Sequence, residues 1–211
     1  QQGLSRNAET YSLPNLERWT RVPEQIRLSR HSGRAGTGLF AQRYCGIVLD
    51  EETIALVTEK IKDRETATGI TEFLCILSDM KKLPAGFPGP FIRRSFTGTF
   101  TAPGNKTAPE TWRVNAIVAV YGGIEGAREL SGAGESEAAA VSDALKSLCG
   151  FPVDFSRTAL NGYGGRTRLY TEIAMPSGRS YALERIGPST AELLFLCGLD
   201  AVNAEAVRAA V

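Results

Sequence analysis

The sequence predicts an α+β protein with a helical N-terminal half packed on a mainly antiparallel sheet, an extended N-terminal arm and a C-terminal helix. Helical spacing of apolar residues dominates residues 50–82, and alternating strand patterns dominate residues 92–186. The run Leu83–Pro90 (LPAGFPGP), rich in proline and glycine, separates them as a linker. We expect an arm over residues 1–36 and one domain over residues 37–211, which can divide into a helical lobe (37–83) and a β-rich lobe (91–211).

The N-terminal arm is polar and is interrupted by Pro14, Pro23 and Gly33. The segment Gly36–Ala41 matches the G-x-G-x-x-A pattern of dinucleotide-binding loops. That pattern needs a strand before it and a helix after it, and a polar loop precedes it here. We therefore interpret it as a flexible hinge, followed by a short strand or a lead-in to a helix over Tyr44–Leu49.

Two helices are predicted before the linker. Asp50 is placed to cap the first, because the acidic residues Glu51 and Glu52 follow in the first turn, where the helix dipole favours negative charge. The second begins near Gly69 and has apolar residues at helical spacing: Ile70, Phe73, Leu74, Leu77 and Met80.

Strand patterns follow the linker. Ile92–Thr101 alternates, with Phe96 and Phe100 predicted on the inner face, and Phe87 and Phe91 predicted to be exposed. Further predicted elements are a central strand covered on both faces over Trp112–Tyr121, a glycine-rich segment with a helical turn over Gly122–Gly134, and a helix over Glu135–Leu148. No internal repeat is visible in the sequence.

The C-terminal third contains the clearest local prediction, a hairpin. Arg166–Met175 and Ser180–Ile186 flank the turn Pro176–Arg179, in which Gly178 takes a left-handed conformation. Tyr163 lies before it in a loop rich in glycine. A capping box at Ser189 then starts a helix that stops at Gly198.

The last predicted helix is amphipathic and runs from a cap at Asp200 to the C-terminus. We therefore expect two separate terminal helices, with a break between Gly198 and Asp200.

The four cysteines lie in apolar surroundings far apart in sequence, which predicts reduced thiols, at least three of them buried. This favours a reducing compartment, either the cytoplasm or a virion. A disulfide is the alternative, but the cysteine density is low for a disulfide scaffold.

Candidate catalytic groups are few. His31 is the single histidine, and no residues have the spacing of a metal site, so we predict no catalytic residue, no metal and no cofactor. Glu172 and Glu184 could meet across the predicted hairpin as a carboxylate pair. Neighbouring arginines make cross-strand ion pairs the favoured interpretation.

Basic residues cluster in two stretches, 18–34 and 80–109; the second contains no acidic residue and has interleaved phenylalanines. Arginine binds phosphate with two parallel hydrogen bonds, and basic grooves with aromatic residues bind single strands. The alternative is that these residues are solvated or pair with carboxylates, and that the aromatic residues belong to the core. The candidate nucleic-acid-binding residues are Arg18, Arg21, Arg27, Arg30, Arg34, Lys81, Lys82, Arg93, Arg94, Lys106, Arg166 and Arg168.

The sequence favours a self-assembling structural protein that coats or packages nucleic acid, like a viral coat or nucleocapsid subunit. Its expected partners are copies of itself and single-stranded RNA, bound through phosphates with little sequence specificity. No apolar run has the length of a membrane span, so no membrane partner is expected. The alternatives are an interaction or regulatory domain without nucleic acid and, third, an enzyme that uses carboxylate, arginine or tyrosine chemistry.

Overall fold

A computed structural model of the chain describes residues 26–64, 67–101, 111–123, 126–163 and 165–211. The α+β class predicted from the sequence is confirmed by helices and two antiparallel three-stranded sheets. The chain divides into two compact units. The first comprises the residues up to Pro90 together with Asn203–Val211, and the second is Phe91–Val202. The first boundary therefore falls at the end of the predicted linker.

The first unit is helical. It contains α1, a π-helical segment, α2 and α3, over Arg34–Phe40, Ala41–Cys45, Glu51–Lys62 and Ile70–Asp79 respectively. Asp50 caps α2 as predicted: its carboxylate accepts a hydrogen bond of 2.7 Å from the Thr53 amide, which lowers the pKa of the Asp50 carboxyl. Four members of the predicted apolar stripe of α3 are confirmed, because Ile70, Phe73, Leu74 and Leu77 are fully buried. The fifth, Met80, lies just past the helix end and is half-buried.

Residues 26–41 differ from the extended arm and hinge that the sequence suggested. Leu28 is fully buried and forms a β-bridge with Thr68, and α1 runs through the glycines of the G-x-G pattern. Gly38 lies against the Ile54 side chain, and the hydroxyls of Thr37 and Thr58 are hydrogen bonded at 2.9 Å. This packing between α1 and α2 outweighs the low helix propensity of glycine.

The C-terminal residues complete the first unit with two side-chain contacts. Asn203 is fully buried and donates a 2.9 Å hydrogen bond to Thr71 of α3. The Arg208 guanidinium donates to the carbonyl oxygens of Gln42, Arg43 and Tyr44 at the end of the π-helical segment. The Gln42 carbonyl also accepts from the Gly46 amide at 3.1 Å. The last carbonyls of a helix lack a regular intrahelical partner, so Arg208 acts as a C-terminal cap.

The second unit repeats one order of elements: three antiparallel strands in sequence and then a helix. No sequence repeat accompanies this order. The elements are β1 (Phe91–Thr101), β2 (Thr111–Val120), β3 (Arg128–Gly134), α4 (Glu137–Cys149), β4 (Asp154–Tyr163), β5 (Arg166–Ala174), β6 (Ser180–Gly187) and α5 (Thr190–Arg208), whose last six residues group with the first unit.

Strand β3 corrects the helical turn that was expected within Gly122–Gly134. Its two glycines explain the difference. A Cβ atom at Gly132 would overlap the Ala140 carbonyl and the Ala144 amide of α4, and one at Gly134 would overlap Ala139. The absence of side chains lets the α4 backbone lie directly against the strand, and this contact supports a strand that its composition disfavours.

The β5–β6 hairpin agrees with the prediction, whereas the loop expected around Tyr163 is part of a second hairpin. The Gly178 amide donates to the Met175 carbonyl at 2.9 Å, and Gly178 has φ +81°. Tyr163 ends β4 and pairs with Arg166 of β5. Pairing with β5 outweighs the low strand propensity of Asn161 and Gly162.

Helix α5 is continuous, so the predicted stop at Gly198 and cap at Asp200 are wrong. Gly198 lies inside the helix, and it is a glycine because a Cβ there would meet Leu145 of α4 and Phe155 of β4. Asp200 is buried and pairs with Arg185 of β6 at 2.7 Å instead of capping. Glycine and aspartate are both common at helix ends, so the sequence predicted a boundary here. In the structure, tertiary contacts hold both residues inside the helix.

Gly132→Ala is expected to destabilise the second unit by about 3 kcal/mol, because the added methyl group would displace the α4 backbone. Urea unfolding followed by circular dichroism measures the effect. The control is Gly126→Ala, which has open space around it and should leave the midpoint almost unchanged. Equal midpoints for both variants would contradict the close packing of α4 on β3.

Asp200→Asn is expected to cost about 3 kcal/mol, since it leaves the Arg185 guanidinium without its buried carboxylate. A double-mutant cycle with Arg185→Gln, measured by urea unfolding, isolates the pair. The double variant should lose less than the sum of the two single variants. Strict additivity would show that the two side chains do not interact.

Candidate nucleic-acid interface

The first sheet has one covered and one open face. On central strand β2 the alternate residues Val114, Ala116, Val118 and Val120 are buried, and the residues between them are exposed or half-buried. This corrects the expectation that the strand is covered on both faces: α4 packs on one side only. The continuous apolar run after Asn115 arises because Ile117 and Ala119 remain half-buried on the other side.

On that other side, three rows of residues run across all three strands, and we call these rows the open face. Strand pairing arranges it in three rows, because residues opposite each other in antiparallel strands share a face. The rows are Thr97–Asn115–Ser131, Thr99–Arg113–Ala133 and Ser95–Ile117–Glu129.

The open face is polar but contains little charge. Hydroxyl and amide groups predominate, Arg113 is its cation and Glu129 is its carboxylate. All of its residues except Ile117 are exposed. Such groups are suited to hydrogen bonds with phosphate and ribose oxygens, which account for most protein contacts to nucleic acid.

Two adjacent arginines at the edge of this sheet have different environments. The register of β1 shifts between Arg93 and Ser95, so Arg94 is an extra residue in a β-bulge and is exposed. Arg93 forms an ion pair with Glu192 of α5. Of the two, Arg94 is therefore the better candidate for a phosphate contact, because Arg93 would first have to break its ion pair with Glu192.

The aromatic residues of β1 lie on the covered side. Phe96 packs on Phe195 of α5, with ring centroids 5.3 Å apart. Phe100 packs on Trp112 at 4.9 Å, and it is 45% exposed although the sequence predicted a core position. Phe87, predicted to be exposed, is buried. The three rows of the open face contain no aromatic side chain, so this face can contact the sugar–phosphate backbone of a nucleic acid but cannot stack on its bases.

The remaining predicted residues lie at several places. Arg18, Arg21 and Lys106 are outside the described residues. In the first unit Arg27, Arg30 and Arg34 are exposed, as are Lys81 and Lys82; Arg30 hydrogen bonds to His31, and Lys82 lies 3.7 Å from Asp50. In the second unit Arg166 is exposed at the start of β5, and Arg168 forms the contacts described next.

The carboxylates of the second sheet form ion pairs rather than a catalytic pair. Glu172 lies 3.6 Å from Arg157 and Glu184 lies 3.7 Å from Arg168, which also donates to the Tyr170 hydroxyl. Cross-strand ion pairs were the favoured interpretation of these residues, and the structure confirms them.

No disulfide joins the cysteines among the described residues, and only Cys45 and Cys197 are buried, fewer than predicted. Cys75 and Cys149 are half-buried, because each lies at the margin of an apolar helix face. Burial raises the pKa of the Cys149 thiol, whose sulfur lies 3.1 Å from the Phe151 carbonyl oxygen. A raised pKa reduces the thiolate fraction that a nucleophile requires.

The first unit has a groove of about 420 Å³ lined by the loop before α2, the start of α2, the residues after α3 and the C-terminus. Its polar lining residues are Asp50, Thr53 and Lys82, and the others are mostly apolar. Val48, on its rim, is 84% exposed. Within the described ranges, no three His, Cys, Asp or Glu side chains gather as metal ligands would.

The chain matches no protein-family model and no curated protein. Its fold places it in the α+β class, with two successive three-stranded meanders, each followed by a helix. Among the described helices, none has both the length and the apolar character that a bilayer crossing requires.

The open face was not identified from the sequence, because the search for basic clusters passes over Arg113, a single cation in a strand. The signal that could have found it is the alternation of apolar and polar residues over Trp112–Ala116. This alternation places Arg113 and Asn115 on the face of the strand away from the buried Val114.

One candidate basic residue has a structural role that can be tested separately. Lys81 has φ +56° and follows α3 in a Schellman motif, in which the Lys82 amide donates to the Leu77 carbonyl at 2.9 Å. Lys81→Gly should therefore stabilise the first unit by up to about 1 kcal/mol, by relieving the left-handed conformation. Thermal unfolding measures this effect. Lys82→Gly is the control and should not stabilise; a similar gain for both would argue against strain at Lys81.

Proposed function

We propose that this protein is a self-assembling structural protein that coats or packages nucleic acid. The observation that carries the proposal is the open face, an exposed three-stranded surface of hydroxyl, amide and guanidinium groups with the exposed Arg94 at its edge. Proteins that coat nucleic acid without reading its sequence bind phosphate and sugar, and these groups are the ones they use.

The proposed binding mode is along the backbone of a single strand. It does not discriminate between sequences or base types, because the three rows of the open face contain no residue on which a base could stack. Neighbouring strands are about 4.8 Å apart, so each row places hydrogen-bonding groups at regular intervals across the sheet. A nucleic-acid backbone can lie across these groups. Arg113 and Arg94 supply the charge, and the threonine and serine hydroxyls accept or donate hydrogen bonds. Affinity should therefore depend on salt and little on base sequence.

The alternative is an interaction domain that binds no nucleic acid. One observation favours it: the groove beside Val48, whose apolar rim is exposed on the first unit. Exposed apolar surface beside a groove is typical of protein-binding sites. RNA binding distinguishes the two candidates, because the groove has no cluster of basic residues.

The Arg94→Ala/Arg113→Ala variant should bind single-stranded RNA about tenfold more weakly than the unaltered protein. The slope of log K against log salt should become shallower by about 1.4. Fluorescence anisotropy with labelled oligo(U) and a mixed-sequence RNA, on protein freed of nucleic acid by nuclease and high salt, measures both quantities. The two RNAs should be affected alike.

The matched control is Lys60→Ala/Lys62→Ala, which removes two exposed charges from α2. It should retain most of the affinity. An equal loss in both double variants would show general electrostatic attraction and would reject the open face as the site. No RNA binding by the unaltered protein at low salt would reject the nucleic-acid proposal and favour the interaction domain.

A further inference from the structure

Strand β4 is an edge strand of the second sheet with an unusually long exposed run. Seven consecutive residues, Ser156–Gly162, are exposed, although regular pairing with β5 continues to the end of the strand. Leu160 is 51% exposed, whereas its partner Leu169 on β5 is fully buried. The sheet thus presents an apolar side chain and an edge with backbone donors and acceptors at the same place.

Edge strand β1 of the first sheet is better covered than β4. On β1, Phe96 packs on Phe195, and Gly98 lies close to Ala191 of α5. Its longest exposed run, Thr97–Thr101, has five residues and no aliphatic side chain comparable with Leu160. The other two edge strands, β3 and β6, have no more than two consecutive exposed residues. Among the sheet edges in the described residues, β4 is therefore the one best suited to accept another strand.

We infer that β4 pairs with β4 of a second copy, antiparallel about a twofold axis, so that two three-stranded sheets become one six-stranded sheet. An edge strand is complementary to itself in this orientation, because its outward amide and carbonyl groups alternate. Twofold dimers with the same patch on both copies are also the commonest oligomers.

The side chains indicate the register. A twofold axis perpendicular to the sheet keeps each residue on its own face, so only registers that pair residues of like orientation are allowed. Pairing Leu160 with Leu160 of the second copy fulfils this condition and brings the two exposed leucines into contact. Thr158 then lies opposite Gly162, and Ala159 lies opposite Asn161.

The charges of the strand are compatible with this register. Arg157 lies opposite residue 163 of the second copy, six positions from the other Arg157, or about 20 Å along a strand. That separation exceeds the Debye length of about 8 Å at physiological salt, so repulsion between the two guanidinium groups is screened. Each Arg157 also has the carboxylate of Glu172 3.6 Å away.

The interface is small, since it is formed by one strand from each copy. Interfaces of this size fall below the usual 1,200–2,000 Å² of stable complexes, and we expect a Kd of about 1–100 µM for an isolated dimer. This inference deepens the self-association part of the proposed function, and it needs no nucleic acid.

Leu160→Lys tests the inference, because two lysines facing each other across the twofold axis repel and leave the interface without its apolar contact. Sedimentation velocity on nuclease-treated protein up to about 200 µM should show a dimer for the unaltered chain and a monomer for the variant. Leu56→Lys, a matched change at a leucine that is 45% exposed on α2, should behave like the unaltered chain. Circular dichroism confirms that both variants are folded.

Leu160→Cys provides a second measurement that does not depend on affinity. Oxidation should link two copies through Cys at this position, because directly opposed residues in antiparallel strands lie close enough for a disulfide. Leu56→Cys is the control and should remain unlinked beyond the background of the native cysteines.

A monomeric unaltered chain without cross-links at position 160, or equal dissociation by Leu56→Lys, would overturn the inference. RNA binding is measured separately on the same samples. A dimer that binds no RNA would reject the nucleic-acid proposal alone, and RNA binding with no dimer through β4 would reject this inference alone.

Discussion

The direct contact between α4 and β3 determines which face of the first sheet is covered and which is exposed. Because Gly132 and Gly134 carry no side chains, the helix backbone lies against the strand and covers one face of the sheet. The hydrogen bond from the Ala133 amide to Asp143 of α4 adds a polar contact at the same edge. The opposite face is left exposed, and the row of polar residues on it follows from this one-sided packing. The candidate interface therefore lies on the face of the first sheet that α4 does not cover.

Local signals in the sequence predicted the elements that depend on local interactions. The Asp50 cap, the apolar stripe of α3 and the Gly178 turn each rest on residues within one turn or one helix, so their spacing in the sequence carries the information. The errors have a different origin. Gly38, Gly132 and Gly198 lie where another segment needs space, and a single sequence read locally assigns each to a hinge, a loop or a helix end.

The candidate site shows the same division. Clustering of basic residues along the chain predicted Arg93 and Arg94, but only strand register reveals that one of them faces Glu192 and the other is an extra residue in a bulge. Arg113 escapes any search for clusters, because its polar neighbours on the open face come from β1 and β3 and lie far from it in sequence. Sites built across strands require the register, and the register is not a local property.

The buried pair of Arg185 and Asp200 constrains how this protein can diverge. A change at either position alone leaves a charge inside the second unit, so sequences that descend from a common ancestor should alter both together or neither. A matched apolar pair is an acceptable replacement, whereas a single neutral residue is not. In an alignment of relatives, positions 185 and 200 should covary, and position 198 should stay small because Leu145 occupies the space beside it.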